Sequence, residues 1–195
     1  SRVNRSPAAF DWEKLNWVNR SHLKELDRSR LAELALPYFI EHGWIFPENS
    51  KPVQAWLEEV IEALLKYVNK LEDLVKEADL IFTFEPERDL ADPGVEETLS
   101  QAGAEGVIRE FHDLIQQHER LDLETYKKIV GEVKKATGHK GQHLFHPIRV
   151  ALTGRSSGFE LDRLIPILEK GERLDLPVRI LPARERAALG LDYLH

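Results

Sequence analysis

Residues 52–83 read PVQAWLEEVIEALLKYVNKLEDLVKEADLIFT, and this stretch decides the fold class. Its apolar residues recur every three or four positions, which is the period of an α-helix. The stripe they form consists of Trp56, Val60, Leu64, Val68, Leu71 and Val75. Charged residues such as Glu58 and Glu62 lie off that stripe. The pattern predicts one long amphipathic helix that follows Ser50 and Pro52 and buries its apolar stripe in a core.

Helical spacing continues on both sides of this stretch, and no segment alternates long enough to predict a strand. Upstream, Ser29 is a plausible N-cap for a helix that ends at Gly43 and is kinked by Pro37. Downstream, helices are predicted through residues 107–114, 122–138 and 160–170. We therefore expect an all-α fold, a helical bundle or cage.

Turn-forming residues divide the chain. Phe84-Glu85-Pro86 and Asp92-Pro93-Gly94 interrupt the helical pattern, which predicts a boundary near residue 92. We expect a connector at 1–27, a first helical lobe at 28–91, and a second lobe at 92–195. The last twenty or so residues, which contain two prolines, are expected to form an irregular arm of the second lobe.

Composition excludes several kinds of functional site. The chain has 195 residues, 42% hydrophobic and 31% charged, which is typical of a folded protein in water. It has no cysteine, so disulfides, thiolate nucleophiles and Cys-based zinc sites are excluded. Since it begins with Ser1, contains no methionine and shows no signal segment, we expect a fragment of a cytoplasmic protein.

The charge is distributed unevenly along the chain. The formal net charge is −7, and residues 57–100 carry 13 acidic against 4 basic side chains. Residues 131–155 instead carry five basic side chains against the single acid Glu132. The pattern favours one face that repels a phosphate backbone and another that attracts it.

Two segments carry more information than their helical pattern alone. Taken alone, residues 6–19, SPAAFDWEKLNWVN, predict a capped amphipathic helix. Residues 138–154, GHKGQHLFHPIRVALTG, predict a basic loop with two glycines, then Pro147 in the first turn of a short helix that ends at Gly154. The free backbone N–H groups at such a helix start can bind a phosphate.

Both segments resemble bacterial-type glutamyl-tRNA synthetases, in the order that family requires. The first resembles the connection that follows the ATP-site signature, where Phe10, Lys14, Leu15, Trp17 and Asn19 would orient the connector. The second resembles the family's pattern of Lys-Gly, Leu-Phe, Pro-hydrophobic-Arg and Ala-Leu-Thr-Gly in the second anticodon-binding lobe. The resemblance covers the chain to about residue 173 and implies the C-terminal, tRNA-anticodon-binding part of a class I glutamate–tRNA ligase.

The resemblance also implies what this part of the ligase does not do. The His-Ile-Gly-His and Lys-Met-Ser-Lys-Ser signatures of the ATP site are absent, and no catalytic constellation is found. We expect the fragment to have no catalytic residue and no cofactor, because ATP and magnesium belong to the missing catalytic domain. The implied partner is glutamate tRNA, with glutamine tRNA as a second candidate, and we expect a monomer without membrane contact.

Site residues follow from the resemblance, by position in this chain. An arginine at the place of Arg149 approaches the anticodon bases in the family, as do residues of the following loop. The physical chemistry fits single-stranded RNA, which is read by arginine donors, backbone groups and stacking. We expect Arg149, Lys140 and Arg155 to form one positive surface. The expected RNA-binding residues are Tyr67, Lys140, Arg149, Arg155, Ser157, Gly158, Phe159 and Leu161.

Two of these positions depart from the family pattern. Phe159 replaces a proline, and its ring either stacks on a base or is buried. Tyr67 stands where relatives specific for glutamate tRNA often place an arginine, and it lacks the forked donors that discriminate between bases. Strict rejection of glutamine tRNA is therefore in doubt, although Tyr67 could instead be a core residue.

Alternatives to RNA binding also follow from the sequence. His139, His143 and His146 have a spacing that could gather a metal on one helix face, but the glycines and Pro147 argue against a continuous helix there, and no metal site is expected. The main rival function is a helical protein–protein interaction module. It explains the helices but not the two ordered segments.

Overall fold

The protein is all-α in the computed structural model, which describes residues 11–90 and 93–193. No strand occurs in these ranges, which confirms the predicted fold class. The predictions for Phe10, for Asp92 and for the boundary beside it concern residues outside the described ones. The described helices are α1 (Trp12–Glu25), α2 (Arg28–Glu41), α3 (Lys51–Leu64), α4 (Asp73–Phe82), α5 (Pro86–Asp89), α6 (Pro93–Leu99), α7 (Ala104–Ile115), α8 (Leu123–Thr137), α9 (Gln142–Thr153), α10 (Leu161–Gly171) and α11 (Ala183–Asp192).

Three helices begin at an aspartate whose carboxylate accepts a backbone N–H of the first turn. Asp11 starts α1, Asp27 starts α2 and Asp122 starts α8, with N···O distances of 3.0, 2.8 and 2.7 Å. The carboxylates pair with N–H groups that have no partner inside the helix. The N-cap of α2 is thus Asp27, and the choice of Ser29 was wrong by two residues.

The stretch that decided the fold class is two helices rather than one. Between α3 and α4 the chain turns at residues 65–72, where the Asp73 carboxylate accepts the backbone N–H groups of Asn69 and Lys70 at 3.2 Å. Side-chain capture of backbone donors competes with the helical hydrogen bonds and ends the helix. Four stripe residues of α3 and α4 are buried all the same, namely Trp56, Val60, Leu64 and Val75.

Helix α9 begins earlier than predicted. It starts at Gln142, after Gly141 with φ 57°, so Pro147 lies inside the helix and not in its first turn. Proline lacks the N–H that would bond to the carbonyl four residues earlier, but its buried ring packs in the core. His143 and His146 therefore do share a helix, contrary to the expectation of a broken one.

The C-terminal arm is irregular through residue 182, as predicted, but residues 183–192 form helix α11, which the sequence did not predict. Helix α11 packs against α7 and α9 through small residues, Ala183, Ala187 and Gly190. A β-carbon at Gly190 would lie only 2.9 Å from the backbone of Ala151. Close packing of small side chains leaves little apolar periodicity in the sequence, which is why the pattern did not predict this helix.

The main hydrophobic core takes residues from both sides of residue 92. One cluster joins Leu57 and Ile81 to Phe111, Ile148 and Leu168. The buried indole of Trp56 in α3 donates to the carbonyl of Ile167 in α10 at 2.9 Å. The proposed lobes thus share one packed interior across the described residues, and the division into two domains stays a prediction. No described helix has the length and apolar character needed to cross a bilayer.

Candidate nucleic-acid interface

Arg149 lies in a groove between α8, α9 and the start of α10. We call this cavity of about 450 Å³ the arginine groove. The Arg149 side chain is half-buried, and its Nε is hidden from solvent with no hydrogen-bond partner among the described residues. A buried donor without a partner costs free energy unless a ligand pairs with it. The groove is lined by Tyr126, Phe145, Arg149, Leu161, Asp162 and Arg163, with Glu160 at its edge.

A second groove of about 340 Å³ adjoins the first, and we call it the lysine groove. Lys127 and Lys134 of α8 and Lys140 of the loop before α9 expose their side chains there. Phe145 borders both grooves and is 40% exposed. The two grooves therefore form one continuous surface that offers cations, a free aromatic ring and the Arg149 guanidinium.

The loop from Gly154 to Glu160 leads from the end of α9 to the arginine groove, which it reaches at Glu160. Thr153 shapes its start, because the hydroxyl donates to the carbonyl of Arg149 at 2.8 Å and accepts the N–H of Arg155 at 3.1 Å. Gly154 has φ 65°, and a β-carbon there would lie 2.2 Å from the β-carbon of Asp89. Only glycine fits this turn, which explains the Thr-Gly pair.

Tyr67 contacts this loop from the turn between α3 and α4. Its hydroxyl donates to the carbonyl of Gly158 at 3.1 Å, and its ring stacks on Phe159 with centroids 6.3 Å apart. The Lys66 ammonium lies 5.0 Å from the centroid of the Tyr67 ring. Tyr67 is half-buried against the loop. Its contact with a base stays a prediction.

Phe159 and Leu161 lie in the core. Phe159 is 4% exposed and Leu161 is 3% exposed. Of the two alternatives for Phe159, the structure has the packed ring, stacked on Tyr67 rather than open to a base. Both side chains hold the loop in place from beneath, whereas Ser157 and Gly158 are exposed on it. Direct RNA contact by Ser157 and Gly158 stays a prediction.

Arg155 lies apart from the other two predicted cations, which corrects the expectation of one surface made by all three. Its Nη1 pairs with the Glu77 carboxylate at 3.2 Å. It lines a separate cavity of about 480 Å³ together with Arg88 and Asp89, and this cavity shares no lining residue with the arginine or lysine groove. Arg155 thus has a carboxylate partner and lines a different cavity from Lys140 and Arg149.

Glu160 sets the charge at the edge of the arginine groove. The hydrogen bond from the Lys66 ammonium, at 2.5 Å, is the main reason that the pKa of Glu160 is lowered, and Arg163 and Arg149 add to the effect. The carboxylate is therefore ionised at neutral pH and is balanced by Lys66. This ion pair spans the entrance between the 65–72 turn and α10.

The histidines do not gather into a cluster of potential metal ligands in the described part of the chain. The rings of His139 and His143 lie 6.4 Å apart, and no cluster of three or more potential ligands occurs among the described residues. Burial, then the neighbouring charge of Arg149, lowers the pKa of His146, so this imidazole is neutral at pH 7.

Several residues of the two grooves were not predicted from sequence: Tyr126, Lys127, Lys134, Phe145 and Arg163. Phe145 stood in the quoted segment between Lys140 and Arg149, but the sequence could not show that its ring is exposed. Tyr126 lies within the helix predicted at 122–138, and its ring is buried. Its hydroxyl nevertheless has no hydrogen-bond partner among the described residues, and burial raises its pKa.

Comparison with known proteins identifies the class to which this fold and site belong. The family model described as an anticodon binding domain matches residues 30–175, and the chain belongs to that family.

The relatives within the family are glutamate–tRNA ligases, which confirms the resemblance drawn from the two segments. The chain is 34% identical over 169 residues to glutamate–tRNA ligase 1 of Caldicellulosiruptor saccharolyticus, covering 87% of this chain and 34% of that protein. It is 34% identical over 170 residues to the Bacillus subtilis glutamate–tRNA ligase, covering 87% of this chain and 35% of the relative. The chain thus spans about a third of the length of these relatives.

Solved structures show the same fold. A glutamate tRNA ligase from Elizabethkingia meningosepticum, crystallised in complex with its amino acid, superposes with a TM-score of 0.74 at 17% identity, over 99% of this chain and 34% of that one. The glutamate-tRNA synthetase of Elizabethkingia anophelis gives a TM-score of 0.67 at 16% identity, over 97% and 33% of the two chains.

Proposed function

We propose that this chain binds the anticodon of glutamate tRNA as the anticodon-binding part of a glutamate–tRNA ligase. The observation that carries the proposal is the Arg149 side chain, whose buried Nε has no hydrogen-bond partner among the described residues. Its groove adjoins one lined by three exposed lysines, in a chain that belongs to the anticodon-binding family. Its relatives are ligases that charge tRNA with glutamate, as their names state.

The chemistry of the grooves supports RNA over other ligands. An unpaired anticodon base presents keto and ring-nitrogen acceptors, and a guanidinium donates to such edges with a fixed fork geometry. Partial burial of Arg149 strengthens each hydrogen bond, because little water competes there. Lys140 with its two lysine neighbours attracts the phosphates, so base reading and backbone attraction come from adjacent grooves.

We assign the ligation chemistry to the part of the relatives that this chain does not cover. ATP and magnesium would be bound there, and the present chain would place the anticodon so that the acceptor end of the tRNA reaches the distant active site. The chain alone is expected not to activate glutamate, and pyrophosphate exchange by the pure chain would contradict this. A monomeric ligase in the cytoplasm remains a prediction.

We further propose that the parent ligase discriminates poorly between glutamate and glutamine tRNAs. The Tyr67 hydroxyl is already committed to the Gly158 carbonyl, and the ring is stacked on Phe159. An arginine at this position would offer two parallel N–H donors to the third anticodon base, and Tyr67 does not. Nothing at this position therefore favours the pyrimidine over the purine by which the two anticodons differ.

The rival function, a helical protein–protein interaction module, explains the helices but does not explain the buried Arg149 Nε, which has no partner among the described residues. Helix α1 exposes Trp12 and Trp17, which suits contact with protein, but these residues line neither groove and do not account for Arg149.

The test measures binding of an RNA hairpin that carries the glutamate anticodon. Arg149→Ala should lower affinity by about 1–3 kcal/mol and reduce the preference for the cognate bases. Arg173→Ala is the matched control, since this exposed arginine follows the C-terminal end of α10, whereas the arginine groove lies at its N-terminal end. Equal affinity of wild type, Arg149→Ala and Arg173→Ala, with the fold intact, would rule out the proposed site.

A further inference from the structure

The proposal concerns Phe145, a large aromatic side chain with 40% of its surface exposed between the two grooves. It stands on α9 one turn before Arg149 and lines both the arginine and the lysine groove. Exposed aromatic rings beside cations are the usual means by which proteins hold a single-stranded nucleotide, since every base has a face that can stack.

The lysine groove has the composition that a nucleotide requires. Its inner wall is apolar, formed by Val130, Leu144 and the ring of Phe145, while Lys127, Lys134 and Lys140 expose their ammonium groups at the rim. A base fits against the apolar wall, and its phosphate meets the rim. One of the three lysines is partly balanced, since the Lys127 ammonium lies 3.8 Å from the Asp162 carboxylate.

An independent observation at the same wall is the Tyr126 hydroxyl. Tyr126 is 1% exposed, its ring packs edge-on against Phe111, and its hydroxyl has no hydrogen-bond partner among the described residues. It lines both grooves, as Phe145 does. A buried hydroxyl without a partner is costly to keep, whereas a phenylalanine would fill the same space without that cost.

We propose that the lysine groove is a second nucleotide subsite, in which the RNA nucleotide next to the one read by Arg149 stacks its base on Phe145 and pairs with the Tyr126 hydroxyl. This inference rests on the proposed function. The hydroxyl is closed to solvent, so a base reaches it by displacing a neighbouring side chain, and Phe145 is the wall residue with the freedom to turn. The subsite binds by stacking and charge and tolerates different bases, while the arginine groove selects among them.

The experiment measures hairpin binding by the 195-residue chain and its Phe145 variants. Phe145→Ala should weaken binding roughly 10-fold, the low end of the effect of removing one base stack. Phe145→Tyr should restore affinity, because tyrosine also stacks. Phe46→Ala is the control, since Phe46 is 43% exposed and lines neither groove.

A set of hairpins with one abasic loop nucleotide at a time then locates the subsite. When the missing base is the one that stacks on Phe145, the abasic hairpin should bind wild type and Phe145→Ala equally. Removal of the base and removal of the ring eliminate the same stacking contact. Tyr126→Phe should leave the melting temperature unchanged or higher and weaken hairpin binding roughly 5-fold.

The outcomes separate this inference from the proposed function. If wild type does not bind the hairpin, or Arg149→Ala binds it as wild type does, the proposed function fails. If wild type binds and Arg149→Ala does not, while Phe145→Ala binds like wild type, the second subsite is refuted and the proposed function stands. If Phe145→Ala weakens binding but Tyr126→Phe does not, the stacking subsite stands and the role of the hydroxyl is refuted.

Discussion

Arg186 of α11 donates a hydrogen bond of 2.7 Å to the backbone carbonyl of Ile81, near the C-terminal end of α4. The same buried guanidinium donates to the carbonyls of Leu80, Leu152 and Leu181 at 2.6, 3.1 and 2.9 Å. Leu152 stands at the end of α9, so one side chain joins the ends of two helices that lie on opposite sides of residue 92. Helix C-termini carry partial negative charge, which a buried cation complements.

Replacement of Arg186 should destabilise the fold strongly. Burial lowers the pKa of Arg186 to about 9, which leaves it charged at neutral pH. Arg186→Met keeps much of the side-chain volume but leaves four backbone carbonyls without their hydrogen-bond donor. We expect the free energy of unfolding to fall by about 3–5 kcal/mol. Urea denaturation measures it, with the exposed Arg184→Ala as a control that should change stability by less than about 0.5 kcal/mol. A loss below about 1 kcal/mol for Arg186→Met would contradict this role.

Glu169 should make stability depend on pH. Burial raises its pKa above the ordinary 4.5, despite hydrogen bonds from the N–H groups of Leu121 and Ala183. Because the folded state holds the proton more tightly, Glu169 contributes stability that is fully present below its ordinary pKa and is lost as pH rises through the raised value. The stability of wild type relative to Glu169→Gln should therefore fall as pH rises from 4 to 7. Denaturant unfolding at each pH tests the trend, with Glu124→Gln as the exposed control. A difference that stays flat or grows with pH would show that the hydrogen bonds outweigh burial.

Lys140 should act differently from Arg149 if it meets phosphate and not a base. Lys140→Ala should weaken the binding of cognate and non-cognate hairpins by the same factor. It should also reduce the slope of log affinity against log salt concentration by about one. Titrations at several salt concentrations, with Lys51→Ala on α3 as a charge-matched control, measure this. A base-dependent loss in Lys140→Ala would place Lys140 at a base instead.

Tyr67→Arg should raise the preference for glutamate tRNA. The substitution supplies the forked donors that Tyr67 lacks, at a position that already touches the loop backbone of Gly158. The measurement compares glutamylation of glutamate and glutamine tRNAs by the whole ligase, wild type and variant. Tyr67→Phe, which removes only the hydroxyl and its bond to Gly158, is the control. A wild type that already rejects glutamine tRNA by orders of magnitude would defeat the idea.

Much of this fold could be read from the sequence, because helix periodicity is local. The stripe of Trp56, Val60 and Leu64 predicted a buried helix face, and Gly138 correctly marked the end of α8 with φ 73°. The segment that contains Arg149 was located differently, by a residue order that resembles one family.

What only the tertiary structure decided is which of these side chains a ligand can reach. Phe159 and Phe145 are both aromatic residues near Arg149, yet the first is packed under Tyr67 and the second is exposed between two grooves. Arg155 and Lys140 are both basic, yet Arg155 is paired with Glu77, which is 78 residues away in sequence. Helix α11 was missed because its contact face is made of small residues. Exposure, ion pairing and the close approach of Gly190 to Ala151 depend on segments that are distant along the chain, and local periodicity carries no information about them.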